Sequence, residues 1–367
     1  MSLINERVKS ITAIIDSIKL KKIYSFFEKQ EIAVYNDGFL YYKEEIIPFP
    51  TDLRESIELN KKYAVLNYEK LVDDDVFNAG AFIRRMVLNM FYARHDRRIP
   101  SDLIALKYPK VYLNFDYMRY ERQLLLKSLG STDNNIKLNF FRMFLNVRDL
   151  RRQIVGNEFS ILEYNLETIE GLADYSMFKA IEMIDKKKMK SFMKPLLTEY
   201  NFDSKDYFDF RHKNMYSGLM IANILSDLNF DIQSFFDDGN SFYQVASQKI
   251  KFIREPISYK SDKTLHNNLS KYEEEIREKF NLFFDNEPKR VYGTYQIYAY
   301  DPKRMFIDKD SIYHESFVVL KDLLNNDLIK LEGPIVTKMV ENSIDIVIQY
   351  FYFDKTKKKS TRKKKVN

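Results

Sequence analysis

The chain has no cysteine and no tryptophan, only four histidines, and nine each of glycine and proline among 367 residues. The missing thiols exclude disulfides, thiolate zinc sites and cysteine nucleophiles. So few glycines and prolines leave few helix breakers, which points to a helix-rich fold. No apolar run approaches the ~18 residues that span a bilayer. Charges run through "MSLINERVKSITAIIDSIKL", so neither a signal peptide nor a transmembrane segment is expected, and the expected location is the cytoplasm.

The balance of 59 Lys and Arg against 53 Asp and Glu is uneven along the chain. "KTKKKSTRKKKVN" (355–367) holds eight of the cations and no acid, so the remainder is slightly acidic. This tail is expected to be disordered, as a solvated terminus or a weak contact for RNA, DNA or an anionic membrane surface.

Four segments follow from patterning. Residues 1–72 should hold a helix, with apolar spacing over 4–29, and a small β layer. Asn36-Asp37-Gly38 marks a hairpin within that layer, and "KYAVLNYE" (62–69) adds a strand. Residues 73–286 read as a helical body. Asp73, Asp74 and Asp75 offer N-caps to a helix ending near Arg94. Helical patterns follow at 115–129, 136–154, 159–186, 206–228, 240–252 and 264–284. After Pro288 the period shifts towards two, giving a β-rich unit over 287–354, with 355–367 as the tail. The fold class is α+β, mostly helical.

Two helices carry candidate chemistry. In 76–94, Phe82, Ile83, Met86, Val87, Met90 and Phe91 form one apolar stripe. Leu88 and Tyr92 share the opposite face, so this helix should lie between two layers. In 159–186, Ser160 and Glu163 suggest a capping box. Leu162, Leu166, Ile169, Ala173, Met177, Ala180 and Ile184 form a core seam. Beside the seam stand Glu163, Glu167, Glu170 and Asp174. Like charges in a row cost stability, and near a core they need cations, protons or a metal. Arg142, Arg148, Arg151 and Arg152 are the nearest cations in sequence, so an Arg–Glu network between helices is the plain reading.

Other chemistry is thinly represented. There is no phosphate-cradling glycine loop, no Gly-x-Ser-x-Gly elbow and no EF-hand spacing in "VDDDV" or "FFDDGN". "FFDDGN" reads as a turn that caps the next helix.

"VLNMFYA" (87–93) resembles the "VHEMFHA" helix of bacterial zinc metallopeptidases of the gluzincin type, and "LETIEGLADY" (166–175) resembles their "EGLAEY" helix. "IPSDLIALKYP", "FLNVRDLRRQIVGNEF", "AYDPKRMFIDKD" and "LEGPIV" extend the resemblance over roughly 20–350. It implies a zincin-like helical body whose relatives bind zinc through His-Glu-x-x-His and a later Glu. Carried across, the two zinc histidines fall on Leu88 and Tyr92, and the general base falls on Asn89. The third ligand falls on Glu170, which is kept, as is Asp174, the acid that orients a ligand. Leucine has no lone pair to give, Asn cannot act as a base, and a Tyr phenol is a poor zinc ligand near neutrality. The resemblance therefore implies a degenerate site with no cofactor. Glu167, Arg152, His212 and Tyr216 are candidate cleft residues. His95, His266 and His314 complete the histidines. Glu170 should find its partner in the Tyr92 hydroxyl or in an arginine such as Arg85 or Arg152, with Leu88 filling the space of a lost ligand. The expected role is a non-catalytic pseudopeptidase that binds a peptide or protein. The rivals are a live metal-dependent hydrolase with unorthodox ligands, and a nucleic-acid or anionic-membrane binder acting through the tail.

Overall fold

The structure, a computed structural model, describes residues 2–36, 38–42, 45–49, 58–59, 62–99, 101–199, 208, 210–237, 239–257, 259–302, 304–341 and 343–353. The basic tail lies outside the described residues. Ten α-helices and eleven strands form among the described residues, so the chain is α+β and mostly helical, as its patterning predicts. It packs as two compact units, 1–100 with 109–265, and 101–108 with 266–367.

The first unit opens with α1 (Ser2–Ser17), which buries Val8, Ile11 and Ile15. The helix stops at Ser17 rather than running to 29. Leu20–Lys22 make a single 3-10 turn, and Tyr24 then stacks on Phe26 and Phe27 while Phe236 meets Tyr24 and Phe26 edge-on. Aromatics spaced by two and three imitate helical periodicity without a helix. β1 (Glu31–Asn36) and β2 (Phe39–Tyr42) form the expected hairpin, with Gly38 at φ +80°; Asp37 of its turn lies outside the described residues. β3 (Glu45–Pro48) pairs with β2, and β4 (Tyr63–Asn67) runs parallel to β1, giving the order β3-β2-β1-β4.

α2 (Asp75–Ala93) is capped by Asp74, whose carboxylate accepts from the Val76 and Phe77 N–H groups. α3 (Asp102–Leu106) belongs to the second unit. α4 (Tyr112–Gly130), α5 (Asn134–Val155), α6 (Asn157–Ile184), α7 (Lys186–Glu199), α8 (Phe210–Asp227) and α9 (Phe242–Lys249) complete the first unit. Gly156, at φ +86°, breaks the chain between α5 and α6. α6 therefore begins at Asn157, and the capping box expected at Ser160 and Glu163 does not form. Ser160 Oγ instead donates to the Gly156 carbonyl at 2.8 Å. A true capping box sits at Ser241 and Gln244, so Ser241 caps α9, not the aspartates before it. The sequence patterning gives no helix at α7, because Pro195 and a lysine cluster mask it.

In the second unit, α10 (Lys263–Asp285) precedes β5 (Lys289–Tyr300), β6 (Met305–Asp308), β7 (Ser311–His314), β8 (Phe317–Asp322), β9 (Leu328–Glu332), β10 (Ile335–Met339) and β11 (Ile346–Tyr352). These make one antiparallel sheet in the order β6-β7-β10-β11-β5-β8-β9. Alternation sends Val336 and Tyr313 towards Ile276, Phe280 and Phe283 of α10, and Ile335 and Ile312 into a second core with Leu103 of α3.

His314 is fully buried in that second core, with Nε2 3.0 Å from Thr337 Oγ1. Burial pulls its imidazole from the ordinary 6.5 down to about 3. The unfolded chain then takes up this proton before the native state does. Its contribution to stability is complete above 6.5 and is lost as pH falls towards 3. A His314→Gln variant should lose stability at neutral pH, and its deficit relative to wild type should shrink steadily below that value. Urea titrations across this range, followed by tyrosine near-UV circular dichroism, measure the gap.

Candidate functional site

The acid row of α6 is buried, not set at an edge. Glu163, Glu167, Glu170 and Asp174 are each under a tenth exposed. Their cations come from two helices, and a third adds an acid and an amide that hold two of those cations. Arg151 of α5 grips Glu163, with Nη1 to Oε1 at 3.0 Å. Arg148, one turn earlier, holds Glu167 through a fork of 2.6 and 2.9 Å. Glu121 of α4 accepts from both arginines, each Nε at 2.9 Å from Oε1, and Asn114 adds 3.1 Å to Arg151. These are charge-assisted, partly bidentate contacts, the geometry in which a guanidinium matches a carboxylate best. The Arg–Glu network expected for Arg148 and Arg151 is thus present. Arg142 and Arg152 lie outside it, on Asn139 and Asp149.

Glu170 and Asp174 have a different cation. Arg84 of α2 binds both, Nη2 to Glu170 and Nε to Asp174. This corrects the expected partner. Tyr92 is 42% exposed and stands two turns beyond Arg84 on α2. Arg152 pairs with Asp149 at 3.1 Å. Arg85 sits close enough to feel the charge of Glu170, and burial lowers its pKa. Arg84 was identifiable in principle, because it stands one turn before Leu88 and so shares the 84–88–92 face. Glu121 carried a weaker signal, as an acid interrupting the buried Met118–Leu125 stripe of α4.

Packing explains why Arg84 reaches that pair. A Cβ at Gly80 would press on Ile181 and Met177 at 2.9–3.1 Å. One turn on, Arg84 meets Asp174 and Glu170. Contacts thus descend α6 as they climb α2, so the helices are antiparallel. Leu88, one turn further, is buried in the core. Asn89 turns the other way. Its Nδ2 donates to the Tyr63 carbonyl at 3.0 Å and to Gln30 at 2.9 Å, fixing α2 to the first sheet. The helix therefore does lie between two layers.

Burial raises Asp174 from 3.8 to about 6, against the pull of Arg84, with Glu170 adding to the rise. Glu167 is raised too, chiefly by burial. For Arg84 burial favours loss of the proton, but Asp174 and Glu170 outweigh it and hold the charge. The row is thus a set of carboxylates already engaged by permanent cations. Among the described residues, no three His, Asp or Glu side chains are grouped to hold a metal ion. Tyr216 is half-buried on α8 against the core. His212 lies on the same helix, but its side chain is outside the described part.

A groove of about 660 Å³ lies elsewhere in this unit, between α1 and the first sheet. Val8, Ile15 and Ile32 give it apolar walls; Lys9, Asp16, Lys29, Glu31 and Glu45 line it with both charge signs. No helix among the described residues is long and apolar enough to cross a membrane. Comparison of the chain with protein-family models, with curated proteins and with solved structures found no match.

Proposed function

We propose that the chain is a non-catalytic pseudopeptidase, in which Arg84 takes the electrostatic place of a metal ion and the body serves to bind a peptide or protein. One observation carries this reading: a single guanidinium bridges Glu170 and Asp174, the two acids kept from the metallopeptidase pattern. A dication there would have to displace a permanent cation from two buried carboxylates. The positions of the lost ligands and base point the same way. Leu88 offers only apolar surface, and Asn89 is spent on the first sheet. The groove beside α1 supplies a place for the partner. Apolar walls and mixed charges suit an extended peptide, whose side chains need pockets and whose charges need counterparts.

The test is elemental analysis of untagged protein dialysed against trace zinc, alongside incubation with a quenched fluorescent peptide library. The reading expects no stoichiometric metal and no cleavage. Stoichiometric zinc that disappears in Glu170→Ala, together with metal-dependent cleavage, would establish the live hydrolase instead.

A further inference from the structure

The sheet of the second unit ends on a strand that is paired on one side. Among the described residues, β9 bonds to β8 and to no other strand. Its inner bonds fix its outer ones. The Gly333 N–H donates to the Ser316 carbonyl and the Asp322 N–H donates to the Asp327 carbonyl, both at 2.8 Å. Antiparallel ladders alternate, so Ile329 and Leu331 spend their backbone groups on β8. Leu328, Lys330 and Glu332 therefore turn theirs outward, away from β8. The pairing runs unshifted from Phe317–Glu332 to Lys321–Leu328, so this edge lacks the bulge that would twist it away from a second strand. The opposite edge is different, because Met305 of β6 shares its core with Leu103 of α3.

Side chains on this edge sort by face. Ile329 and Leu331 turn to the core that holds Val318 and Leu320. Lys330 and Glu332 stand on the other face, 65% and 49% exposed, with Nζ 3.2 Å from Oε1. An edge lysine normally keeps a second sheet away. Here the glutamate two residues on reverses that in one register. Two β9 strands can pair antiparallel only with outward residues opposite outward residues. Setting Lys330 on Lys330, or Glu332 on Glu332, opposes like charges directly. Setting Leu328 on Lys330 leaves the charges unmatched. Centring the pair on Leu331 sets Lys330 of each copy opposite Glu332 of the other, twice. Leu331 then meets its own copy, and Ile329 meets Gly333, where an added Cβ would find no heavy atom within 4 Å.

We propose that β9 pairs with β9 of a second copy of this chain, antiparallel about a two-fold axis at Leu331, joining the two sheets edge to edge. Charge complementarity selects the occupant. Each lysine lies beside its own glutamate and across from that of the other copy, so the four charges alternate in sign. Each Lys330–Glu332 pair across the seam exchanges both backbone N–H···O bonds. On the other face, Leu331 against Leu331 carries the apolar core across the seam. An unrelated extended peptide would meet the same backbone groups without the matched charges. Pro334, opposite Leu328, has no N–H to give, so the pairing ends there. The contact uses the same edge on both copies, so assembly closes at two rather than growing into a ladder.

Sedimentation velocity of the full chain should show a dimer that dissociates on dilution. Lys330→Glu and Glu332→Lys should each weaken it by roughly tenfold or more, since each turns two attractive pairs into repulsive ones. Lys330→Glu together with Glu332→Lys restores opposite signs at both pairs and should restore the dimer. Mixing the two single variants should do the same, through a mixed pair. Both side chains are exposed, so unchanged circular dichroism should accompany every change. The absence of cysteine gives the register its own readout. Leu331→Cys places two thiols at the two-fold, at the roughly 4.5 Å Cα spacing of a non-hydrogen-bonded pair, and diamide should link the copies. Leu328→Cys is more exposed but stands opposite Pro334, and should link far less. A monomeric wild type overturns the proposal. So does a dimer that ignores the single charge changes or is not restored by the double one, or cross-linking at 331 no faster than at 328.

Discussion

Arg84→Met is expected to cost the folded state about 3–5 kcal/mol, the usual penalty for removing one partner of a buried ion pair. The reason lies in what stays behind. Glu170 and Asp174 are held between α2 and α6 at the point where Arg84 bridges them. Methionine keeps most of the side-chain volume but leaves two carboxylates without that cation. Arg84→Lys should fall between, because one ammonium lacks the fork that reaches both acids. The loss should also depend on pH in a definite direction. In the wild type Asp174 titrates at about 6, against 3.8 unperturbed. The native state therefore holds this proton to a higher pH than the unfolded chain. Its contribution to stability is full below 3.8, falls as pH rises to about 6, and is level above. Without Arg84 the folded value climbs further, so the decline continues to higher pH. The gap between variant and wild type should accordingly be smaller near about pH 5 than near about pH 8. Urea unfolding at those two values tests it. A gap independent of pH would mean that the carboxylates had found another cation.

The same energetics have two readings. If Arg84 stands in for a metal ion, its loss leaves a pair of acids whose need for charge is met by protons. If the network is only a helix-packing device, the same energetics hold without any relation to a lost site.

Periodicity identified the elements that matter and failed at their partners. The spacing of three and four that placed Glu163, Glu167, Glu170 and Asp174 in one row is a property of one helix, so it can be read from one segment. So can the cap at Asp74 and the hairpin at Gly38. Which cation meets which acid depends on how two helices are rotated and crossed. Arg148 and Arg151 were found because they precede the row closely in the chain. Arg84 was not, although it shares a face with Leu88, because Arg85 and Tyr92 were equally near the pair in sequence. Glu121 draws two arginines together from a third helix; its place in a buried stripe of α4 marks it as in need of a cation but does not say which one. The same limit explains the N-terminal error. Tyr24 and Phe26 pack on Phe236, more than two hundred residues away, not on a continuation of α1.

A second crossing in the first unit leaves no room for a side chain. Gly171 of α6 and Gly218 of α8 meet backbone to backbone. A Cβ built on Gly171 would lie 2.5 Å from the Gly218 carbonyl carbon, and one built on Gly218 would overlap the Glu167 carbonyl oxygen. No side chain is available to move aside, so either helix must shift as a body. Gly218→Ala and Gly171→Ala are each expected to cost at least about 3 kcal/mol, at the upper end of overpacking penalties. Because the two alanines would open the same crossing, the double variant should cost clearly less than the sum of the singles. Gly130→Ala is the control. It ends α4 with no heavy atom within 4 Å of the added Cβ, so it should be neutral or mildly stabilising. Thermal melts of the four proteins measure all three expectations. The position of Gly171 gives the test a wider meaning. It lies between Glu170 and Asp174 in the chain, and Gly218 presses on the backbone of Glu167. Widening the crossing would turn the carboxylates away from Arg84 and Arg148, so the stability of the variants should also show an altered pH dependence over the range in which Asp174 titrates.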